Sequence, residues 1–296
     1  MQFINNAYLE IILLGALSGI VGVLACLRKR VFYTQALTHA TFPGAIVGVV
    51  LASKVLFNLD TFNSASKSHI LSLSLFIGAA AMCLPMIYFM NAISKVKGQG
   101  SHTAAGILLT VGFGLGFLLL KLFQPLPVKV GSFISGNILT SNSLDIKITF
   151  ISLIFTLILI TVYGRRILFA CFDETGFKVA GFNLEITDFI ILSLITLTVV
   201  VAMPAVGSIL SIALIVGPAA GAIYVTNSFW TALILAPLLD ILAGCLGLWV
   251  SIQVGLSSGG MITIFCAVIY LSCVMWKWTI SYFKSYSDRF VATDKT

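Results

Sequence analysis

The sequence predicts an all-α membrane protein, a bundle of transmembrane helices, and its composition and hydropathy are the observations that predict this class. Of the 296 residues, 59% are hydrophobic and only 9% are charged, whereas a soluble domain carries about 25% charged residues. The mean hydropathy is +1.09. Because so few charged side chains cannot cover a water-exposed surface, the composition excludes a soluble enzyme, a disordered chain and a nucleic-acid-binding domain.

Nine apolar runs approach or exceed the roughly 20 residues that a transmembrane helix needs. They cover residues 7–27, 36–57, 69–93, 103–123, 146–165, 187–203, 205–226, 229–252 and 260–280. We interpret AMPAVGS, around Pro204, as a tight turn between two helices, although a kink within one helix is the alternative. Glycines four residues apart within the spans, at 15 and 19, 44 and 48, 112 and 116, and 217 and 221, predict close helix packing. Residues 1–296 are expected to form a single transmembrane domain.

The distribution of Lys and Arg predicts that the N-terminus lies outside the cell and the C-terminus in the cytoplasm. In this orientation the inner loops and the C-terminal tail hold 12 of the 17 basic residues, and the outer loops hold five. Positive charge accumulates in the cytoplasmic loops of membrane proteins. The net charge of +7 therefore reflects topology and not affinity for nucleic acid.

Two predicted connections are longer than a turn. The outer one, residues 124–145, is half apolar, and we expect a short helix on the membrane surface near Ser132–Leu139. The inner one, residues 166–186, holds three of the ten acidic residues, which are Asp173, Glu174 and Glu185. Such a loop suits a cytoplasmic partner, and a plain amphipathic linker is the alternative.

The sequence carries no common catalytic or nucleotide-binding signature. HExxH and a P-loop are absent, and GLSSG at 255–259, although it has the form GxSxG, has no histidine nearby in the sequence to serve as its base. The six cysteines form no CxxC pair, which favours core packing over a disulfide framework or a metal site. We therefore predict a chain that is not an enzyme, that holds no permanent cofactor, and that depends on another subunit for any use of ATP.

The second predicted span begins with the polar segment FYTQALTHATFPG, in which Gln35 and His39 are four residues apart. Side chains at this spacing share one face of a helix. A neutral imidazole, with amide and hydroxyl oxygens from Gln35, Thr38 and Thr41, suits a divalent cation that must pass without being trapped. Pro43 frees a backbone carbonyl and permits a kink. A histidine hydrogen-bonded between helices is the alternative, and the sequence alone leaves both open.

Asp240 lies in the middle of the eighth predicted span, where a carboxylate must face the bundle interior or a wet cavity, or be protonated. Contact with an ion and a structural hydrogen bond are both open for it. Pro204, Pro218 and Pro237 interrupt the last third of the chain. Broken helices near the middle of the bilayer commonly line transport paths, but proline kinks are also frequent in helices with a purely structural role.

Five segments, in order along the chain, are similar to the motifs of one family. They are LRKRVFYTQALTHATFPGAIVG (27–48), SHTAAGILLTVGFGLG (101–116), GSFISGNIL (131–139), FDETGFKVAGFN (172–183) and VGSILSIALIVGPAAGAIYVT (206–226), the last followed by GLSSGGMITI (255–264). With this set, which covers about residues 10–275, the chain resembles the membrane permease of bacterial ABC importers for manganese, zinc or iron.

The resemblance implies a multi-pass protein of the bacterial plasma membrane, in which two permease copies form a pore at their interface. It also implies cytoplasmic ABC ATPase subunits and an extracytoplasmic metal-binding protein that delivers the divalent ion. The 166–186 loop would then be the coupling element, with Asp173 and Glu174 near its start and Gly181 closing a short helix seated in the ATPase. The helix kinks or gates would be Pro43, Pro204 and Pro218.

One departure from the family's motifs concerns the metal pathway. The family usually has aspartate where this chain has Gln35, four residues before His39. Gln35 keeps an oxygen ligand but lacks the negative charge, which makes His39 the stronger candidate. Either the ion is attracted less strongly, or Asp240 or a second, different permease supplies the charge. One imidazole and one amide do not distinguish zinc from manganese.

A stand-alone secondary carrier driven by protons, with Asp240 as the proton site, is the alternative function. An intramembrane enzyme would be a third class, but the sequence shows no nucleophile paired with a general base for it. Uptake driven by a pH gradient without ATP would distinguish the carrier from the permease of an ABC importer.

Overall fold

The computed structural model describes residues 2–57, 64–94, 96, 101–124, 136, 138–207 and 211–293, and within these ranges it contains no strand. The α-helices are α1 (Gln2–Leu27), α2 (Val31–Phe57), α3 (Ser64–Ser94), α4 (Ser101–Leu122), α5 (Ser143–Phe172), α6 (Glu174–Val179), α7 (Leu184–Val206), α8 (Ser211–Val225), α9 (Phe229–Val254) and α10 (Ser258–Thr293). A 3-10 turn, Ile138–Thr140, precedes α5. The predicted all-helical class is confirmed.

Eight helices in the described part of the chain are long and apolar enough to cross a membrane, and they match eight of the nine predicted runs. The remaining run, predicted at 205–226, corresponds to α8, which has 15 residues. A helix of that length extends about 22 Å, whereas the hydrocarbon core of a bilayer is about 30 Å thick. The sequence pattern thus located this helix but overestimated its length.

Helix α7 ends close to the predicted turn, but at Gly207 instead of Pro204. Pro204 lies inside α7, which continues to Val206. A proline disturbs the preceding turn without having to end a helix. Gly207 has φ +97 and its N–H donates to the carbonyl of Met203, and glycine adopts this left-handed region at low cost. The residue that ends α7 is therefore the glycine.

The two long predicted connections are described to different extents. Most of the predicted surface helix at Ser132–Leu139 lies outside the described residues, whose nearest part is the 3-10 turn. The inner connection is largely helical, because α5 continues to Phe172 and α6 follows at once. The segment predicted to bind a partner is thus a short helix attached directly to a membrane helix.

Helix α1 lies at the centre of the bundle and packs closely against α9. Ile11, Leu14 and Leu17 are fully buried. A Cβ atom on Gly15 would lie 3.0 Å from the backbone of Ile241, and one on Gly19 would lie 2.5 Å from the backbone of Pro237. Such contacts need the absence of a side chain, and they confirm the packing predicted for this glycine pair.

Helices α2, α3 and α4 form a second close-packed group. A Cβ atom on Gly44 would lie 2.4 Å from the carbonyl oxygen of Gly78 on α3, and one on Gly48 would lie 2.2 Å from that of Ser74. On the other side of α2, a Cβ atom on Gly116 of α4 would lie 2.1 Å from the Phe42 ring. Helix α2 is therefore held between two neighbours, and this fixes the direction of its polar side chains.

The contacts between helix ends separate them into two groups. The turn after α1 meets the start of α6 through Arg28 and Glu174, whereas Gly136 lies against Val206 at the far end of α7. This grouping agrees with the predicted alternation of inner and outer connections. Which group faces the cytoplasm stays a prediction from the charge distribution.

Substituting Gly19 by Ala is expected to loosen the contact between α1 and α9. The added Cβ would lie 2.5 Å from backbone atoms of Pro237, and overpacking of this kind costs about 1–3 kcal/mol. Thermal unfolding of the detergent-solubilised protein should therefore occur at a lower temperature than for the wild type. Gly106→Ala is the matched control, because a Cβ there meets nothing within 4 Å. Equal melting temperatures for the two variants would contradict the packing assignment.

Candidate metal pathway and coupling segment

His39 lies within α2 and is covered by α4. It is 9% exposed, and its ring meets that of Phe113 edge to face with centroids 5.3 Å apart. The backbone of α4 approaches closely because Gly112 carries no side chain: a Cβ there would lie 3.1 Å from the His39 carbonyl oxygen. The imidazole is thus held in an apolar, largely water-free environment.

Two polar atoms of His39 lack a hydrogen bond from their own helix. The imidazole Nδ1 is buried and has no partner among the described residues. The carbonyl oxygen would normally accept from the N–H of residue 43, but Pro43 lies inside α2 and has no N–H to donate. Buried polar groups of this kind are exceptions that call for a function or a further partner. These two atoms of His39 are therefore one nitrogen and one oxygen that are available as ligands for a metal ion.

Gln35 lies one helical turn before His39, on the same face of α2, and is half-buried. Its backbone carbonyl accepts a hydrogen bond from the Thr38 hydroxyl at 2.7 Å. Its side-chain amide makes no hydrogen bond with any described residue. The amide oxygen is consequently free to act beside the imidazole.

Helix α2 also contacts α7. The Thr41 hydroxyl lies 2.8 Å from the thioether sulfur of Met203 and 2.8 Å from the Thr38 carbonyl oxygen. Thr41 and Met203 are both buried. Met203 is followed by Pro204 in the last turn of α7, so two of the three prolines predicted as kinks or gates, Pro43 and Pro204, lie in helices that touch each other. Pro218 lies in α8 and is buried.

Asp240 occupies a different place. It is fully buried on α9, and its Oδ2 accepts a hydrogen bond of 2.6 Å from the Ser18 hydroxyl on α1. Its Oδ1 has no partner among the described residues. The described contacts of Asp240 run to α1, whereas those of His39 run to α4, so the structure does not bring the predicted metal-pathway residues together at one point. Among the described residues, no group of three or more His, Cys, Asp and Glu side chains could hold a metal ion.

Asp173 caps the short helix α6 of the predicted coupling segment. Its carboxylate accepts a hydrogen bond from the Gly176 N–H at 2.8 Å, the position at which aspartate stabilises a helix N-terminus. The same residue ends α5, so only one residue separates the two helices. The orientation of α6 is thereby tied to the end of a membrane helix.

Gly181 closes α6 in a Schellman motif. Its φ of +80 is in the left-handed region that favours glycine. The N–H of Gly181 donates to the Lys178 carbonyl at 3.0 Å, and the N–H of Phe182 donates to the Phe177 carbonyl at 3.2 Å. The Phe177 and Phe182 rings stack with centroids 5.1 Å apart. Both predicted ends of the helix are therefore formed by the residues singled out for it.

An ion-pair network that sequence reasoning missed holds this segment. Arg28 donates to the Glu174 carboxylate at 2.6 Å and to Asp188 on α7. Its side chain is 6% exposed. Burial lowers the pKa of the guanidinium, but hydrogen bonds and attraction from Asp188 and Glu174 outweigh burial, so the pKa is raised and the charge persists. Asp188 lies at the start of a predicted span, where an acidic side chain needs a partner. This requirement is the sequence signal from which the network could have been predicted.

The chain matches the family described as the ABC 3 transport family over residues 1–277, and it belongs to that family. This membership confirms the predicted class, the membrane permease of an ABC transporter. The protein is accordingly a transport component that crosses the bacterial plasma membrane several times.

Individual relatives align over nearly the whole chain. The zinc transport system membrane protein TroC of Treponema pallidum is 31% identical over 277 residues, covering 92% of this chain and 88% of that protein. The manganese transport system membrane protein MntC of Listeria monocytogenes is 27% identical over 272 residues, covering 91% and 89%. The solved structure of PsaBC from Streptococcus pneumoniae in complex with Fab is similar with a TM-score of 0.78 and 27% identity, over 92% of this chain and 91% of that chain.

Replacing Asp173 by Ala is expected to fray α6, because the Gly176 amide loses its acceptor. The loss of an N-cap costs about 1 kcal/mol, so this amide should exchange with solvent deuterium roughly fivefold faster. Asp173→Asn keeps a side-chain acceptor and should exchange like the wild type in hydrogen-exchange mass spectrometry. If the Asn variant behaves like the Ala variant, charge and not capping is what holds the segment.

Proposed function

We propose that this chain is the permease subunit of an ATP-driven importer that moves a divalent transition-metal ion, manganese or zinc, across the bacterial plasma membrane. The observation that carries the proposal is the family match over residues 1–277. It is supported by relatives named for zinc and for manganese transport that align with about nine-tenths of the chain. The transported ion is the substrate, and no permanently bound cofactor is required.

His39 and Gln35 are the proposed contacts of the ion on its way through the membrane. The imidazole Nδ1 has no partner among the described residues, and the carbonyl freed by Pro43 belongs to the same residue. Nitrogen and neutral oxygen donors bind divalent transition metals without contributing negative charge. An ion held by neutral groups alone leaves readily, and this suits a pathway more than a storage site.

The partners in this proposal are a second permease copy, a cytoplasmic ABC ATPase and an extracytoplasmic metal-binding protein. The proposed ATPase contact is the segment with Asp173, Glu174 and Gly181, in which α6 is short and mostly exposed. Apolar side chains are exposed here, as Val179 is 84% and Phe172 is 70% exposed. Exposed apolar groups beside charged ones are typical of a protein-binding surface.

The proton-driven carrier is less well supported than the ABC importer. Membership of the ABC 3 transport family favours a permease that works with an ATPase. Asp240, the proton site of that alternative, is fully buried in the contact between α1 and α9 and bonded to Ser18. Its geometry supports a structural role.

The energy source can be tested with the permease purified together with its co-expressed ATPase, reconstituted in vesicles and supplied with the extracytoplasmic metal-binding protein. We expect uptake of Mn²⁺ or Zn²⁺ with ATP, and none with a non-hydrolysable ATP analogue. The permease alone, given a pH gradient without ATP, should not take up either ion. Uptake under that last condition would contradict the proposal and favour the secondary carrier.

Two substitutions on α2 test the ion pathway in the same vesicles. His39→Ala should lower metal uptake strongly while the complex still assembles, because it removes the nitrogen donor. Gln35→Asp should lower the metal concentration for half-maximal uptake by about tenfold, equivalent to about 1.4 kcal/mol, because it adds a negative charge one turn from the imidazole.

The matched controls are His102→Ala and Gln253→Asp. His102 is exposed and meets the Phe32 ring edge to face, and Gln253 is exposed near the end of α9. Both variants should transport like the wild type. If His39→Ala also transports like the wild type, the ion does not pass this residue.

A further inference from the structure

Arg28 lies where three elements of the fold meet. It belongs to the three-residue turn between α1 and α2, and its side chain reaches the end of α5, the start of α6 and the first turns of α7. One guanidinium nitrogen donates to the Ala170 carbonyl at 3.0 Å and to Glu174 at 2.6 Å. The other donates to Asp188. One buried side chain thus connects the proposed ATPase-binding segment to two membrane helices.

Asp188 extends this connection to the first turn of α2. While one of its oxygens accepts from Arg28, the other lies 3.3 Å from the guanidinium of Arg30. Arg30 directly precedes α2, and its carbonyl accepts from the Thr34 N–H at 2.9 Å and from the Thr34 hydroxyl at 3.1 Å. Asp188 is therefore connected to the start of α2 through a single side chain, that of Arg30, and a displacement of Asp188 acts on α2 through it.

Helix α2 meets α7 a second time, beyond Gln35 and His39. There the Thr41 hydroxyl lies 2.8 Å from the sulfur of Met203. The two candidate ion contacts are therefore located between one ionic and one buried polar contact to the same helix. Movement of α7 relative to α2 has to change at least one of these contacts.

Resting on the function proposed above, we propose that Arg28 is the positioning residue that transmits the movement of α6 to α2, and so links ATP hydrolysis to the Gln35–His39 segment. Its side chain does not contact the transported ion. A guanidinium can donate in two directions at once, to Ala170 and Glu174 on one side and to Asp188 on the other, which a lysine ammonium cannot match. Because Arg28 is buried and Asp188 is half-buried, loss of Arg28 leaves Asp188 without its closest cation.

A residue that only stabilises the fold would lower uptake and ATP hydrolysis together, whereas a transmitting residue changes the ratio between them. The test therefore measures both rates in vesicles that contain the permease with its ATPase and are supplied with the extracytoplasmic metal-binding protein. The variant is Arg28→Gln, the conservative variant is Arg28→Lys, and the control is Arg165→Gln. Arg165 is exposed at the same end of α5 and has no ion pair among the described residues.

We expect Arg28→Gln to co-purify with the ATPase and to hydrolyse ATP at nearly the wild-type rate. The amount of Mn²⁺ or Zn²⁺ imported per ATP should fall roughly tenfold or more, given what the loss of a buried ionic partner costs. Arg28→Lys should lie between this variant and the wild type, and Arg165→Gln should match the wild type.

The inference is overturned if uptake and hydrolysis fall in the same proportion, or if Arg28→Gln and Arg165→Gln keep the same import per ATP. Should Arg28→Gln fail to assemble, Asp188→Asn replaces it, because that side chain is partly exposed and keeps its shape. An unchanged ratio in Asp188→Asn then refutes the inference. If the wild type imports neither metal with ATP, the proposed function itself is refuted. If the wild type imports metal with ATP and the variant imports as much per ATP, only the role of Arg28 is refuted.

Discussion

The hydrocarbon core of a membrane offers no hydrogen bonds to a polypeptide, and the rest of this structure depends on that constraint. It requires every backbone segment inside the bilayer to be helical or to be covered by protein. The described chain follows this rule with long helices whose glycines allow neighbouring backbones to touch. Where Pro43 breaks the pattern of backbone bonds, the freed His39 carbonyl lies against Gly112 of α4 and not against lipid. The one deviation in α2 is thus kept within the protein.

Polar chemistry is distributed very unevenly between the bundle and its ends. Inside the bundle, polar groups are few, and Asp240 on α9 lies apart from the Gln35–Thr41 segment of α2. At the end that contains α6, Arg28 and Arg30 meet Asp188 and Glu174 in a continuous network. Sparse neutral donors suit the passage of an ion, and a dense network suits the transfer of force, so the two regions support different parts of the proposed cycle.

Composition alone was sufficient to predict the fold class, and hydropathy located all the long helices, because burial in lipid imposes a simple rule on sequence. The details that the sequence could not supply depend on three-dimensional neighbours. The location of Asp240 beside Ser18 instead of near His39 follows from which helices pack together, and no local pattern encodes that. The pairing of Arg28 with Asp188 joins residues 160 positions apart. The ends of helix α6 were predicted from the resemblance to the family, and in the structure Asp173 and Gly181 form them as an N-cap and a left-handed glycine.

The contact between Ser18 and Asp240 spans 222 residues, and this distance has a consequence for biogenesis. Helix α1 is made long before its main neighbour α9. Glu10 meets its partner Thr149 once α5 is made, but Ser18 resides in the membrane without Asp240 until α9 follows. Helix α1 therefore completes its polar contacts late, and nascent protein interrupted before α9 would expose an incomplete centre to membrane quality control.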